Sequence, residues 1–268
     1  MNTTGREVAN YDEAWAKEAA RYAAQEQLVG GTFLSTRGGI LSFGEEEMPG
    51  NQAAVIILDA VFENTFYAEK FDPNNAASPI CYAFGRDGEP MAPHESMQDA
   101  PDYFKPQAEE CQGCKWNEWG SADKGKGKAC QNRRRLALIP AGYYEGKRGS
   151  RDLELNLFND PKHFETADIA FIKLPVLSVK LFSKYVNQIA TNSRRPPHGV
   201  ITRMFVEPDA KAQFLVHFEM LEEIGDDLAA IIMARHEEAL KAVIQGYQVP
   251  QEREPVRQGS LRGLRRTR

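Results

Sequence analysis

Apolar and polar positions change their spacing along the chain. Residues 11–28 are rich in Ala and Glu, with Tyr11, Trp15 and Tyr22 at helical spacing. This predicts a helix with a thin apolar stripe that docks on something larger. Glycines 30, 31, 38 and 39 then punctuate GTFLS and GILSF, which read as two short strands joined by a turn. The run 53–67 (AAVIILDAVFENTFY) is β-branched and aromatic and too long for one regular strand, so it bends or pairs with itself. SPICYAF at 78–84 is another strand, closed by GRDG.

Periodicity is lost from 85 to 130, where four prolines, six glycines and three of the four cysteines collect. About 45 residues without regular structure need something else to order them. Strand character resumes at 136–139, at the Tyr143–Tyr144 pair, at 153–158 and at 168–174. A helix is expected over 176–191, then the loop SRRPPHG, a hairpin of 200–206 and 212–221, and a last helix over 225–247. The Pro-, Gly- and Arg-bearing end reads as disordered. The expected organisation is an N-terminal helix at 1–30, one domain at 31–248 with an insertion at about 85–132, and a basic tail at 249–268.

This pattern predicts an α+β, mainly β chain: a Greek-key barrel with a loop insertion and flanking helices. Among small barrels the OB-fold is the one whose open face takes single-stranded nucleic acid. The pattern alone also permits other β-rich α+β folds.

Composition adds limits. The longest apolar stretch, 228–234, is seven residues, far below the ~20 of a membrane helix. The N-terminus lacks a basic start followed by an apolar region, so a signal peptide is not expected. The chain therefore reads as cytoplasmic, where thiols stay reduced. Net charge is −5, yet the segment 111–135 carries seven basic residues against Glu118 and Asp123, and 252–268 carries six arginines against two glutamates. Such local asymmetry points to an anionic partner at particular places.

Cys111-Gln-Gly-Cys114 is a CxxC, with Cys130 following after 15 residues and Cys81 preceding by 29. Paired thiolates at this spacing can grip one tetrahedral ion, and distant ligands would tie down a loop that has no core of its own. A structural zinc at Cys81, Cys111, Cys114 and Cys130 is the leading reading; buried thiols and a redox CxxC are the alternatives. His94 could replace Cys81, but four cysteines and one site leave nothing over.

Two enzyme motifs come close and fail. His94 is adjacent to Glu95 and Glu110 stands where a zinc deaminase needs proline. Gly120-SADK-Gly125-Lys126 continues into Gly127 where a P-loop needs Ser or Thr. His217 and His236 find no triad partners, so no catalytic constellation is present and the chain reads as non-enzymatic.

The basic segment interleaves Trp116 and Trp119 with Lys124, Lys126 and Lys128 and ends in Arg133, Arg134 and Arg135. Single-strand binders combine a cationic groove with aromatic stacking faces. On a strand, Arg133 and Arg135 share one face, here expected to be exposed, while Arg134 shares the other with Leu136 and Leu138. The bland alternative is a solvated loop whose tryptophans cover the metal. Tyr143, Tyr144, Arg194 and Arg195 complete the candidate contacts.

The run CQGCKWNEWGSADKGKGKACQNRRRLAL resembles the pattern C-x-x-C-x-x-N-x-(W/F)-G-S…G-K-G-K-x-C-x-x-x-R-R-L of bacteriophage and prophage single-stranded-DNA-binding proteins. The likeness is specific over about 81–140 and loose elsewhere. It implies an OB-like core, zinc at the four cysteines, and DNA contacts from the lysine-glycine loop and the arginines. Replication or transcription proteins are the further partners expected. The arginine-rich end departs from the acidic tails of many phage single-strand binders. The rival reading is a zinc-stabilised adaptor that docks on a polymerase or similar protein.

Overall fold

The computed structural model describes residues 33–43, 46–68, 78–86, 89–123, 125–146 and 153–249. The expected N-terminal helix, most of the basic tail and Lys124 lie outside the described residues.

Ten strands form one open sheet. They are β1 (Phe33–Ser35), β2 (Ser42–Phe43), β3 (Glu46–Glu47), β4 (Gln52–Phe66), β5 (Cys81–Gly85), β6 (Gln131–Glu145), β7 (Glu154–Leu157), β8 (Ala170–Leu174), β9 (Val200–Asp209) and β10 (Gln213–Glu223). Their order is β10-β9-β4-β6-β8-β1-β2-β3, with β5 also pairing β4 and β7 also pairing β6. The helices are α1 (Pro161–Thr166), α2 (Val179–Asn192) and α3 (Asp226–Ala242). None of the described helices is long and apolar enough to cross a membrane.

The two 15-residue strands β4 and β6 organise the fold. They pair antiparallel from Ala54↔Gly142 to Thr65↔Gln131, with register shifts between Ala54 and Val55 and between Ile57 and Asp59. Such bulges bend and twist a strand, so 53–67 bends rather than pairing with itself. Its apolar run is continuous because both faces are covered. On one face Val55, Ile57, Leu136, Leu138, Ile172 and Met204 pack on Phe182, Tyr185 and Ile189 of α2. On the other Ile56, Leu58, Ala137 and Ile139 pack on Phe164 of α1, on Ile232 and Ala239 of α3 and on Val243 just after it. Each Val, Leu, Ile, Met or Phe among them contributes about 1.5–3 kcal/mol of apolar burial.

Three expectations change. The sheet does not close: among the described residues β10 pairs with β9 alone, and β1 takes the free edge of β8, running parallel with Phe33 opposite Phe171. The short helix α1 was not anticipated; Asp160 caps it by accepting from the Lys162 amide, with Pro161 in its first turn. The last helix stops at Ala242, leaving 243–249 as an irregular segment. Between β5 and β6 the described residues hold only two short 3-10 turns, Glu95–Asp99 and Lys115–Asn117.

Candidate metal centre and nucleic-acid interface

The β5–β6 connection has a small core of its own, against expectation. Met97 and Phe104 bury against Tyr82, which is 1% exposed. Beyond it the chain turns at Cys111–Cys114. Gly113 takes φ +78°, the left-handed region open to glycine, and Asn117 clasps the turn: its amide donates to the Cys114 carbonyl at 2.8 Å and its Nδ2 to the Cys111 carbonyl at 2.9 Å. The Cys130 amide donates to the Trp116 carbonyl at 2.8 Å. Asn132, two residues further on, donates to Asn64 of β4 and, at 3.0 Å, to Asn117.

This folding brings Cys81 at the start of β5, Cys111 and Cys114 from the turn, and Cys130 before β6 to the wall of one cavity of about 20 Å³, together with Asn64, Phe66, Trp116 and Asn117. That is room for a single small particle. All four thiols are free. Burial pushes the Cys130 thiol up to about 12, and Cys111, Cys81 and Cys114 add to the rise. Burial likewise raises Cys81 and Cys111, whose neighbours in this cluster oppose their ionisation. Four free thiols on the wall of one cavity supply, once deprotonated, the sulfur donor set that zinc takes in structural sites. Among the described residues no group of three or more His, Cys, Asp or Glu is already drawn together as a metal cage. His94 lines the adjoining groove, where its Nδ1 meets Ser96 Oγ at 2.8 Å, and does not face the thiols.

The expected contact residues divide. Trp119 is 80% exposed, and Lys128 Nζ lies 5.7 Å from its ring. Lys126 is exposed on a turn held by Gly120 and Ala122 amides donating to the Gly127 carbonyl. Lys128 also reaches Asn117 Oδ1 at 3.2 Å. Trp116 is a cover instead of a stacking platform: it stacks on Phe66 at 4.8 Å and donates through Nε1 to Gln107 at 2.9 Å.

Arg135 must be reassigned. It shares a face with Arg133 as expected, but that face is not open: Arg135 is 3% exposed and donates to Glu63 at 2.8 and 2.5 Å. Arg134 lies on the opposite face, its guanidinium 3.3 Å above the Phe62 ring. Arg133 is half-buried, and its Nε is buried without a hydrogen-bond partner. Tyr143 is 51% exposed beside Phe158, whereas Tyr144 is buried. Both sit ~40 Å of strand away from Gln131, at the far end of β6. Arg194 is exposed, and Arg195 pairs with Glu223 at 3.4 Å; their loop packs through His198 on His236 of α3, not on the cysteine loop.

Sequence reasoning missed a cluster on the Arg133–Arg135 face. Glu63 of β4, Lys173 of β8, and Phe33, Phe84 and Tyr247 gather around Arg135. The available signal was a pair of carboxylates, Asp59 and Glu63, inside the apolar run 53–67. Comparison with known families, curated proteins and solved structures found no match.

Proposed function

We propose that the chain is a non-sequence-specific, non-enzymatic single-stranded-DNA-binding protein of phage-type replication or recombination, acting in the host cytoplasm with a structural zinc. The observation that carries this reading is the convergence of Cys81, Cys111, Cys114 and Cys130, from three separate segments, on one ion-sized cavity. The loop they would anchor displays Trp119 and Lys126 to solvent. Those four residues would hold the metal; bound zinc would fix the loop and do no chemistry on the DNA. A fixed loop presents its cations and its indole without the ordering cost a mobile one would bear on binding.

Connectivity supports an OB-like core. β4 pairs with β6, β6 with β8, β4 with β9 and β9 with β10, with α2 between β8 and β9. This is the pairing of a five-stranded OB Greek key left partly open, and it makes the cysteine insertion the loop between its first two strands, a region that binds oligonucleotides in such folds. Trp119, Lys126, Lys128, Arg133 and Lys124 are the contacts assigned on this reading.

The test is fluorescence anisotropy of a mixed-sequence oligonucleotide, single-stranded and duplex, at two salt concentrations, alongside zinc analysis. Preference for the single strand with a log–log salt slope of about −3, as four contacts predict, supports the reading. No binding to either form at low salt overturns it.

A further inference from the structure

Residues 243–249 cross the face of the sheet that carries Arg133, Arg135 and Lys173. Arg135 Nη1 donates to the carbonyls of Val243 at 3.2 Å and Gln245 at 2.9 Å. The Tyr247 hydroxyl donates to Glu63 Oε1 at 2.8 Å, and Ser78 Oγ donates to the Gln248 carbonyl at 2.7 Å. The Tyr247 ring lies 4.2 Å from Lys173 Nζ, 5.1 Å from the Arg135 guanidinium and 4.9 Å from the Tyr82 ring.

What lies beneath is over-supplied with positive charge. Lys173 stands directly opposite Arg135 in the β6–β8 register. Glu63 is the one carboxylate among the groups acting on Lys173, against Arg135 and Arg133. Burial, with the two arginines, brings the lysine down to about 8. Arg133 Nε has no partner, and the covering segment VIQGYQV contains no acidic residue. Aromatic faces adjoin the cations: Phe33 is 4.8 Å from Lys173 Nζ and Phe84 is 4.3 Å from the Arg135 guanidinium. Buried cations in excess call for an anion. The cover supplies only carbonyls and a phenol.

We propose that residues 243–249 are a displaceable strap over a phosphate-binding site formed by Arg133 and Lys173, with Tyr247 occupying the place of a stacked base. On the reading of the previous subsection, on which this assignment of the ligand rests, the phosphate is the phosphodiester of the single strand. Binding is then an exchange: the strand's phosphate replaces the strap at Lys173 and Arg133, and a base replaces Tyr247 beside Tyr82. Arg135 keeps Glu63 throughout and remains scaffold.

Gly246 offers the perturbation. A Cβ there would lie 2.1 Å from Ser96 Oγ and 2.7 Å from the Tyr82 hydroxyl, two groups hydrogen-bonded to each other, so Gly246→Ala forces the strap and that pair apart. The first readout needs no DNA: amine labelling of Lys173 by peptide mass spectrometry, with and without inorganic pyrophosphate. If the open state is under a tenth of the wild-type population, labelling and oligo(dT) affinity both rise by about tenfold or more in Gly246→Ala. Pyrophosphate protects Lys173, and adding Lys173→Gln removes the gain in affinity. Tyr247→Ala, which deletes the plug without a clash, gives the same pattern if Gly246→Ala fails to fold. Unchanged labelling in the folded variants, or faster labelling that neither pyrophosphate nor oligonucleotide suppresses, overturns the proposal. Pyrophosphate protection with no oligonucleotide binding by any variant leaves the phosphate site standing and removes the single-strand reading instead.

Discussion

Replacing Arg135 by alanine separates scaffold from contact. Glu63 is 0% exposed, and its Oε1 receives Arg135 Nε, Arg135 Nη2 and the Tyr247 hydroxyl, while its Oε2 is buried without a partner. Removing the guanidinium leaves a buried carboxylate with one neutral donor. Breaking one side of such a pair costs about 3–5 kcal/mol, a large part of a total stability of about 5–15 kcal/mol. At 2–4 °C per kcal/mol for a domain of this size, melting should fall by about 10 °C. Urea unfolding followed by tryptophan fluorescence near neutral pH measures it, with Arg133→Ala as the control expected to lose about 1 kcal/mol or less. The double variant Glu63→Leu/Arg135→Met should recover most of the loss, because an apolar pair of similar volume needs no desolvated charge. If Arg135→Ala lost under about 1 kcal/mol yet bound oligonucleotide more weakly, the assignment of Arg135 to the scaffold would be wrong.

Other outcomes follow from the cysteine loop. In metal-free protein the folded Cys130 thiol keeps its proton up to about 12, whereas an unfolded thiol ionises near 9. The folded state therefore holds more protons above pH 9, and stability present below that pH is lost at up to about 1.4 kcal/mol per unit as pH rises; melting of EDTA-treated protein between pH 8 and 10.5 checks the sign. Zinc should bind at one equivalent with release of protons, measurable in weakly buffered solution. Cys114→Ser should lower melting of zinc-loaded protein and open 86–130 to protease, while leaving EDTA-treated protein nearly unchanged. Trp119→Ala should weaken oligo(dT) binding by about 1–3 kcal/mol without loss of stability, whereas Trp116→Ala, which removes the ring stacked on Phe66, should reduce stability first.

Local pattern made most of the sheet legible. The apolar run of β4 read as a bent strand, though that both its faces are covered emerges only in the fold, and the helical spacing of Val179, Phe182, Val186 and Ile189 belongs to a helix laid on that sheet. Parity placed Arg133 with Arg135 and Arg134 with Leu136, and the structure keeps that pairing of faces. What parity cannot supply is the partner. Glu63 lies 72 positions from Arg135, and Tyr247 lies 184 from Glu63, so nothing near Arg135 in the chain distinguishes a buried arginine from an exposed one. The same distance hid the strap: Val243 continues the apolar spacing of α3, which made 225–247 look like one helix, yet the chain leaves helical geometry there and crosses the cationic face. The six-residue α1 escaped because it buries one large side chain, Phe164, too little for a periodic signal.

Counting charges along 111–135 therefore overstates the field that DNA would meet. Seven basic residues would give a salt slope near −5 if each met a phosphate, at about −0.7 per contact on a single strand. Arg135 is neutralised by Glu63 and Arg134 lies over Phe62, so neither is available as a counterion-releasing contact. Lys124, Lys126, Lys128 and Arg133 then account for about −3 in the complex, and Lys173, uncovered when the strand displaces the strap, adds about −0.7. The strap is displaced in the bound state of wild type and Gly246→Ala alike, so the variant should bind more tightly with an unchanged slope. Adding Lys173→Gln should flatten that slope by about 0.7. If the slope stayed as steep, the tighter binding of Gly246→Ala would come from stacking alone, without a phosphate at Lys173. Affinity by itself cannot separate these two origins; the salt dependence of the same titration does, because only phosphate contacts displace counterions.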